Sequence, residues 1–416
     1  MAVVKVLGIE TEYGVMASGP DPDPIGASSA LVNAYAASVS QRTAWDFEDE
    51  SPGLDARGMP TVAGMAPMVE THLANTVLTN GARFYVDHAH PEYSSPECAT
   101  PSEAVRYDVA GEHVLRAAMR AALERNLGPG EIFVHKNNSD GKGNSYGCHE
   151  NFLVDREVPF GDVVRAMVPH LVTRILYTGS GKVGAETGHA RQRGVAFQLS
   201  QRAEFVEEVV GLETTLKRPI VNTRDEPHGD PRRYRRLHVI VGDANMSQVA
   251  TLLKLGTTAL LLGALEDLGV AVFPESPADP VRTMHEVACD LDLTAKFELA
   301  GGGRTSALDV QAQLLELAER YVAAPPAATT RRARSSPGGR TPSRRCARTP
   351  RRSRPPSTGS RSVGSSRGTA RATTSPRRTR GSTRWTCSTT TCAPSAASRR
   401  EPASTSSSRP RTPLRR

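Results

Sequence analysis

The chain has 416 residues, a formal net charge of +8 and six cysteines, but these totals describe no single part of it. Residues 325–416 hold 23 arginines, no lysine, no aspartate and one acid, Glu401, which leaves 29 basic and 43 acidic residues in 1–324. The front is therefore net −14 and the tail +22. Three widely spaced cysteines in the front, Cys98, Cys148 and Cys289, with no CxxC, exclude a disulfide scaffold and a zinc ribbon and fit a cytoplasmic protein. The opening Met1-Ala-Val-Val-Lys-Val-Leu-Gly8 is too short an apolar run for a leader or span, and no membrane partner is expected.

In chain order, Val3 to Thr11 reads as a strand on which Glu10 and Glu12 share a face by the period of two. Residues 28–42 read as a helix, and 44–70 as a long aperiodic loop of the kind that is functional or disordered. Next comes Gly81-Ala-Arg-Phe-Tyr-Val-Asp-His-Ala-His-Pro-Glu92. Here Tyr85 and Asp87 share one strand face, while His88, His90, Glu92 and Glu97 follow just beyond. So many acids stay ionised together only where cations or donors offset them. Thr100-Pro-Ser-Glu103 is a capping box that opens a helix to about Asn126.

A strand over 131–136 opens into a polar, glycine-rich loop, 137–151, that carries His149 and Asn151 and is followed by the strand Phe152-Leu-Val. Residues 161–177 form a helix, followed by strand-like pieces near 195–200, 204–212 and 219–223. Gly179-Ser-Gly-Lys-Val-Gly184 matches GxGxxG but follows a helix and lacks the Lys-Ser/Thr ending, so a glycine turn is the better account. Arg236 to Asn245 begins as a strand that carries His238, and Ser247 caps an apolar helix to Leu268, expected to be the central core helix. Irregular alternation of strands and helices points to an α+β fold around a largely antiparallel sheet packed by helices.

Glu10, Glu12, Tyr85, Asp87, Glu92, His149 and His238 all fall on strands or just after them, and as neighbours they form a hard-ligand bowl suited to Mg²⁺. Lys136, Arg202, Lys217, Arg218 and Arg224 are complementary cations for phosphate or a substrate carboxylate. A surface strand end, a satisfied core histidine at 238 and a self-paired Arg224-Asp-Glu226 loop are the plainer accounts of each part taken alone.

Taken together, seven motifs in order, Gly8–Gly14, Asn80–Tyr93, Lys136-Asn-Asn138, Ser145–Asn151, Leu199–Arg202, Asn222–His228 and Arg235–Asn245, resemble the Pup ligase/Pup deamidase family from about residue 3 to residue 320. The resemblance implies a glutamine synthetase-like (carboxylate-amine ligase) catalytic domain over 1–322. The insertion over 44–76, with Asp87-His-Ala-His-Pro-Glu92 and Gly211-Leu-Glu-Thr-Thr215, resembles the deamidase/depupylase branch. That branch implies hydrolysis of the C-terminal glutamine amide of Pup and of Pup–lysine isopeptide bonds. It also implies a functional link to the bacterial proteasome, and ATP, or ADP plus phosphate, held with Mg²⁺ as a cofactor.

The resemblance assigns Asp87 as catalytic carboxylate, nucleophile or base, with Arg202 and Arg224 meeting developing charge. Glu10, Tyr85, Glu92, His149 and His238 would hold metal, and Glu10, Glu12, Tyr85, Lys136, Asn151, Arg218 and His238 the nucleotide. A Pup ligase of the same fold is the alternative within the family.

The Arg/Ser/Thr/Pro tail, 323–416, cannot bury a core and is expected to be disordered. Its lysine-free composition is what GC-rich DNA yields out of frame, and Ser357–Arg371 and Trp385–Pro394 back-translate into ordinary protein in another frame. It is read as a frameshifted remnant of a small C-terminal domain, so that nucleic acid is not an expected partner. Were the tail genuine, a basic nucleic-acid-binding protein would be the competing reading.

Overall fold

A computed structural model of the chain describes residues 2–18, 23–39, 55–57, 74–127, 130–187 and 194–324. The arginine-rich tail from 325 and most of the 44–76 insertion lie outside the described residues, and with them the expectations placed on both. Eight strands form one sheet: β1 (Leu7–Glu12), β3 (Asn75–Val77), β4 (Arg83–Asp87), β5 (His90–Ser94), β7 (Cys148–Asp155), β10 (Val206–Gly211), β11 (Arg218–Asn222) and β12 (Tyr234–Val239). Their order is β10-β11-β12-β7-β1-β5-β4-β3, and every adjacent pair except β10–β11 is antiparallel. The expected α+β fold on a largely antiparallel sheet is what forms.

Four shorter ladder pieces complete the strands: β2 (Gly14–Ala17) with β6 (Ile132–His135), and β8 (Lys182–Val183) with β9 (Phe197–Gln198). A last pair joins β13 (Lys296–Glu298) to β14 (Arg304–Ser306). The helices are α1 (Pro24–Ser38), α2 (Pro101–Glu124), α3 (Phe160–Thr173), α4 (Ile175–Thr178), α5 (Gln248–Leu268), α6 (Pro280–Cys289) and α7 (Ala307–Ala323).

Alternation decides which face each strand residue serves. Phe84, Val86 and Tyr93 pack on α1 and α2, while Phe152, Val154, Leu237 and Val239 join the larger core with α3, α5, α6 and α7. The helices thus cover one face, and the side chains one position away take the other. The α2 capping box forms as expected, Thr100 accepting from the Glu103 N–H while Glu103 returns the bond to Thr100.

Ser247 likewise caps α5, whose buried Leu255, Leu261, Leu262 and Leu265 make it the core helix. By length and composition α5 is long and apolar enough to cross a membrane, yet half of its apolar window is buried within this fold. Beneath β7, Glu150 and Arg174 are both fully buried and paired through two bonds, 2.8 and 2.5 Å.

Two elements differ from the sequence reading: the strand after the glycine-rich loop opens already at Cys148, so that His149 and Asn151 lie on β7, and the acids after Asp87 lie on a second strand. The acids after Asp87 do not trail into a loop: His90–Ser94 is itself a strand, turned back on β4 through His88 in the left-handed region (φ 52°). Gly179–Gly184 leads from α4 through β8, with Gly181 and Gly184 in the left-handed region (φ 72° and 73°). Its Lys182 is held between Glu186 (2.6 Å) and Glu204 (2.5 Å), so no phosphate loop exists there.

Candidate active site

Strand register builds the site on the face away from the helices. Tyr85 lies opposite Glu92, and Glu92 opposite Glu12; one step along, Ser94 lies opposite Glu10, and Glu10 opposite His149. Asn151 lies opposite His238 on β12, and His238 opposite Asn222 on β11. Asp87 ends β4 at the edge of this array, its side chain 37% exposed and His88 Nδ1 3.1 Å away.

Two groups of potential ligand atoms result, each within 4.8 Å: Glu10, His149 and His238, and Glu12, Asp87 and Glu92. Asn151 joins the first group together. Its Nδ2 donates to Glu10 Oε1 (2.8 Å), while His238 Nδ1 meets its Oδ1 (2.8 Å). Glu10 Oε2 faces His149 Nδ1 at 3.2 Å. Glu12 is pinned by the Gly147 N–H (2.8 Å) and by His90 (3.3 Å), whose ring packs at a tilt against Tyr146. Gly147 has no substitute there: a Cβ would sit 2.5 Å from Glu12 Oε1 and 2.9 Å from His149 Nε2. The Tyr85 hydroxyl lies 3.3 Å from Ser94 Oγ.

The electrostatics divide the acids. Burial alone would raise Glu10 and Glu12. The His149 bond and surrounding positive side chains instead hold Glu10 far below the carboxylate range, and His90, His149 and the Gly147 N–H bring Glu12 to about 2. Glu92 goes the other way, pushed well up by burial and then by the charges of Asp87, Glu10 and Glu12. Burial and the nearby acids also hold the Tyr85 phenol protonated. His238 is driven well below 6.5 by burial and by Arg236, so it is neutral; its Nε2 is buried without a partner among the described residues.

A neutral imidazole with an unpartnered Nε2 beside Glu10, and a carboxylate whose ionisation burial and its neighbours oppose, both fit a divalent cation. Glu10, His149 and His238 would hold one such ion; Glu12, Glu92 and Asp87 offer all-oxygen ligation beside it.

The expected cations are dispersed. Arg224 follows β11 on the rim of this face, its Nε buried and without a partner among the described residues; its charge bears on Arg236 and His238. Arg236 has no place in the sequence-derived set, yet it shares the His238 face by the period of two. It pairs with Glu226 at 3.3 Å and reaches Asn151 Oδ1 at 3.5 Å. Arg218 borders the loop before β7, donating to Ser145 O (3.4 Å), its pKa lowered to about 10 by burial and by Arg202. Lys217 is exposed on the preceding turn with φ 49°.

Two assignments change. Lys136 lies on the α2 side, bound to Asp108 (2.7 Å) and Glu112 (3.1 Å); the register that puts Glu10 and Glu12 on the open face puts Thr11, the partner of Asp108, on the other. Arg202 is 3% exposed and spends its donors on Ile240 O (2.6 Å), Gly242 O (2.8 Å) and Ser145 Oγ (3.0 Å). Through Nε and Nη1 it braces the backbone around the site.

One face of an antiparallel sheet thus gathers carboxylates and imidazoles of the kind that hold a divalent cation. The chain belongs to the Pup-ligase protein family, whose model matches residues 5–336. It is 51% identical over 327 residues to the depupylase of Acidothermus cellulolyticus and 47% over 328 residues to the Pup deamidase/depupylase of Mycolicibacterium smegmatis, covering 76% of this chain in each case. It spans 64% and 65% of the length of those relatives. The Pup–protein ligase of Kineococcus radiotolerans is 46% identical over 253 residues, 60% of this chain and 54% of the ligase.

Among solved structures, the ligase PafA in complex with Pup superposes with a TM-score of 0.60 at 29% identity, over 76% of this chain and 57% of that one. PafA in complex with ADP gives 0.53 at 34% identity, over 60% and 54%.

Proposed function

We propose that this protein is a Pup deamidase/depupylase, hydrolysing the C-terminal glutamine amide of Pup and Pup–lysine isopeptide bonds. The observation that carries the hydrolase over the ligase reading is the extent of likeness: the depupylase match runs over 327 residues, the ligase match over 253 at no higher identity. Pup and pupylated proteins would be the substrates, the proteasome the downstream partner and the cytoplasm the setting.

Asp87 is the half-exposed carboxylate at the edge of the acid array, and it delivers the nucleophile, its own oxygen or a water it deprotonates, to the amide carbon. Water and amide are consumed; acid and ammonia, or acid and a freed lysine, leave. When bound, Mg²⁺ would supply the positive charge that lets the acids ionise together and would polarise the reacting groups, with the phosphates of ATP, or of ADP plus phosphate, held beside it. Glu10, His149, His238, Glu92 and Tyr85 hold and orient that assembly. Arg224 and Arg236, with buried Nε groups among the described residues free of partners, face the anionic phosphates or the carboxylate of Pup. Arg218 and Glu12 border the same cleft.

The test is the intact mass of Pup ending in glutamine after incubation with MgATP and either this chain or its Asp87→Asn variant. Conversion of amide to acid, a gain of about one dalton, by the parent and not by the variant is the expected result. Consumption of Pup ending in glutamate, with attachment to lysine, would establish the ligase instead.

A further inference from the structure

We propose that Asn151 is a positioning residue that locks His238 into one tautomer and so aims its metal-binding lone pair. The inference rests on the reading of this face as a metal site. Its premise is a forced sequence of hydrogen bonds. Arg236 Nη1 only donates, so the Asn151 atom it faces at 3.5 Å is the carbonyl oxygen, and Glu10 faces the other end of the amide. The Asn151 group 2.8 Å from Glu10 Oε1 is therefore the amide NH₂. The carbonyl oxygen lies 2.8 Å from His238 Nδ1. A carbonyl only accepts, so Nδ1 carries the proton. The neutral ring then has its lone pair on Nε2, the buried atom left without a partner among the described residues.

The amide thus links one ligand, Glu10, to the tautomer of another, His238. Opposite placement of Asn151 and His238 on adjacent antiparallel strands makes the link short and rigid. Asn is the only ordinary side chain of this length that both donates to a carboxylate and accepts from an imidazole.

The test uses the full chain with Mn²⁺ as the metal probe, followed by calorimetry and electron paramagnetic resonance. Nitrogen-15 histidine spectra report tautomers, and the His238→Gln spectrum identifies the signal. Asn151→Leu is expected to weaken Mn²⁺ binding about 10–100-fold and to move the His238 signal to the Nε2–H form. Asn151→Asp, which retains an acceptor for Nδ1, is expected to keep the Nδ1–H form and to bind Mn²⁺ far more tightly than Asn151→Leu; loss of Mn²⁺ binding with the tautomer intact would overturn the proposal. Asn151→Ala provides the same test as Leu without added bulk if the Leu variant does not fold. An unchanged tautomer and Mn²⁺ affinity in Asn151→Leu or Ala would overturn the proposal. Parent protein that binds no Mn²⁺ would overturn the metal reading of the site, and the tautomer spectrum would still decide the role of Asn151.

Discussion

Glu12 and Glu92 stand directly opposite one another on β1 and β5, one 8% and the other 2% exposed. Two carboxylates at cross-strand distance destabilise a sheet unless one is protonated or a cation lies between them. Here Glu12 is the ionised member, held by His90 and the Gly147 N–H, and Glu92 is the one pushed up. The pair thus sits where a divalent cation, as proposed for this site, would let both carboxylates ionise.

Glu92→Gln should therefore split stability from function. Without metal the variant is expected to melt at or above the parent, since the substitution removes a buried ionisable group from an acid cluster. With Mg²⁺ and ATP the parent should gain several degrees and the variant little. Differential scanning calorimetry with and without MgATP checks this. An equal gain in both would remove Glu92 from the metal set.

Arg202 was legible as a motif residue and not as a brace. Its substitution should act on the fold: Arg202→Ala leaves the Ile240 and Gly242 carbonyls without donors in a buried region, at a cost of about 2–5 kcal/mol. That corresponds to a fall in Tm of about 5–10 °C. Nucleotide affinity in the folded fraction should change far less than in Arg224→Ala. A stable Arg202→Ala protein that has lost activity would restore the catalytic assignment.

The same contrast explains what the sequence disclosed. Glu10, Glu12, Tyr85, Asp87 and His238 were recoverable because a period of two fixes their face as soon as a strand is recognised. Lys136 and Arg202 were not, since neither the residue type nor its neighbours says which side of a sheet it serves. Lys136 follows a strand of a separate two-stranded sheet, and pairing of β6 with β2 sends it to α2. The hairpin return at His88 was missed because its left-handed residue is a histidine, without the glycine or asparagine that usually announces such a turn. Arg236 was within reach of the pattern, two residues before His238, and needed only the same counting.

Gly147→Ala probes the loop before β7. The added methyl would meet Glu12 Oε1 at 2.5 Å, and a carboxylate already fixed by two partners cannot withdraw without losing them. The expected cost is about 1–3 kcal/mol in stability, together with a drop in MgATP affinity as Glu12 turns away. Urea unfolding and nucleotide titration measure the two effects; a variant unchanged in both would mean that this loop moves freely with respect to Glu12.

The last prediction concerns pH and lies beneath the sheet. His170 is fully buried on α3, with Nε2 3.0 Å from Thr258 Oγ1. The Thr258 hydroxyl donates to Lys254 O, and it accepts from Arg174. His170 must then donate through Nε2–H, which leaves Nδ1 bare, buried and unpartnered among the described residues. A second proton would have no acceptor and would sit beside the Arg174 charge; burial first, then Arg174, push the pKa well below 6.5. Below pH 6.5 the unfolded chain binds this proton and the folded chain does not. Stability is therefore complete above that pH and falls as pH drops, by about 1.4 kcal/mol per unit for one group, until the folded pKa is reached. His170→Gln, which still offers an N–H to Thr258, should remove one proton from that slope while His238 retains its own. Unfolding free energies at pH 7.5, 6.5 and 5.5 measure it: equal slopes in parent and variant would mean that His170 takes up its proton inside the fold.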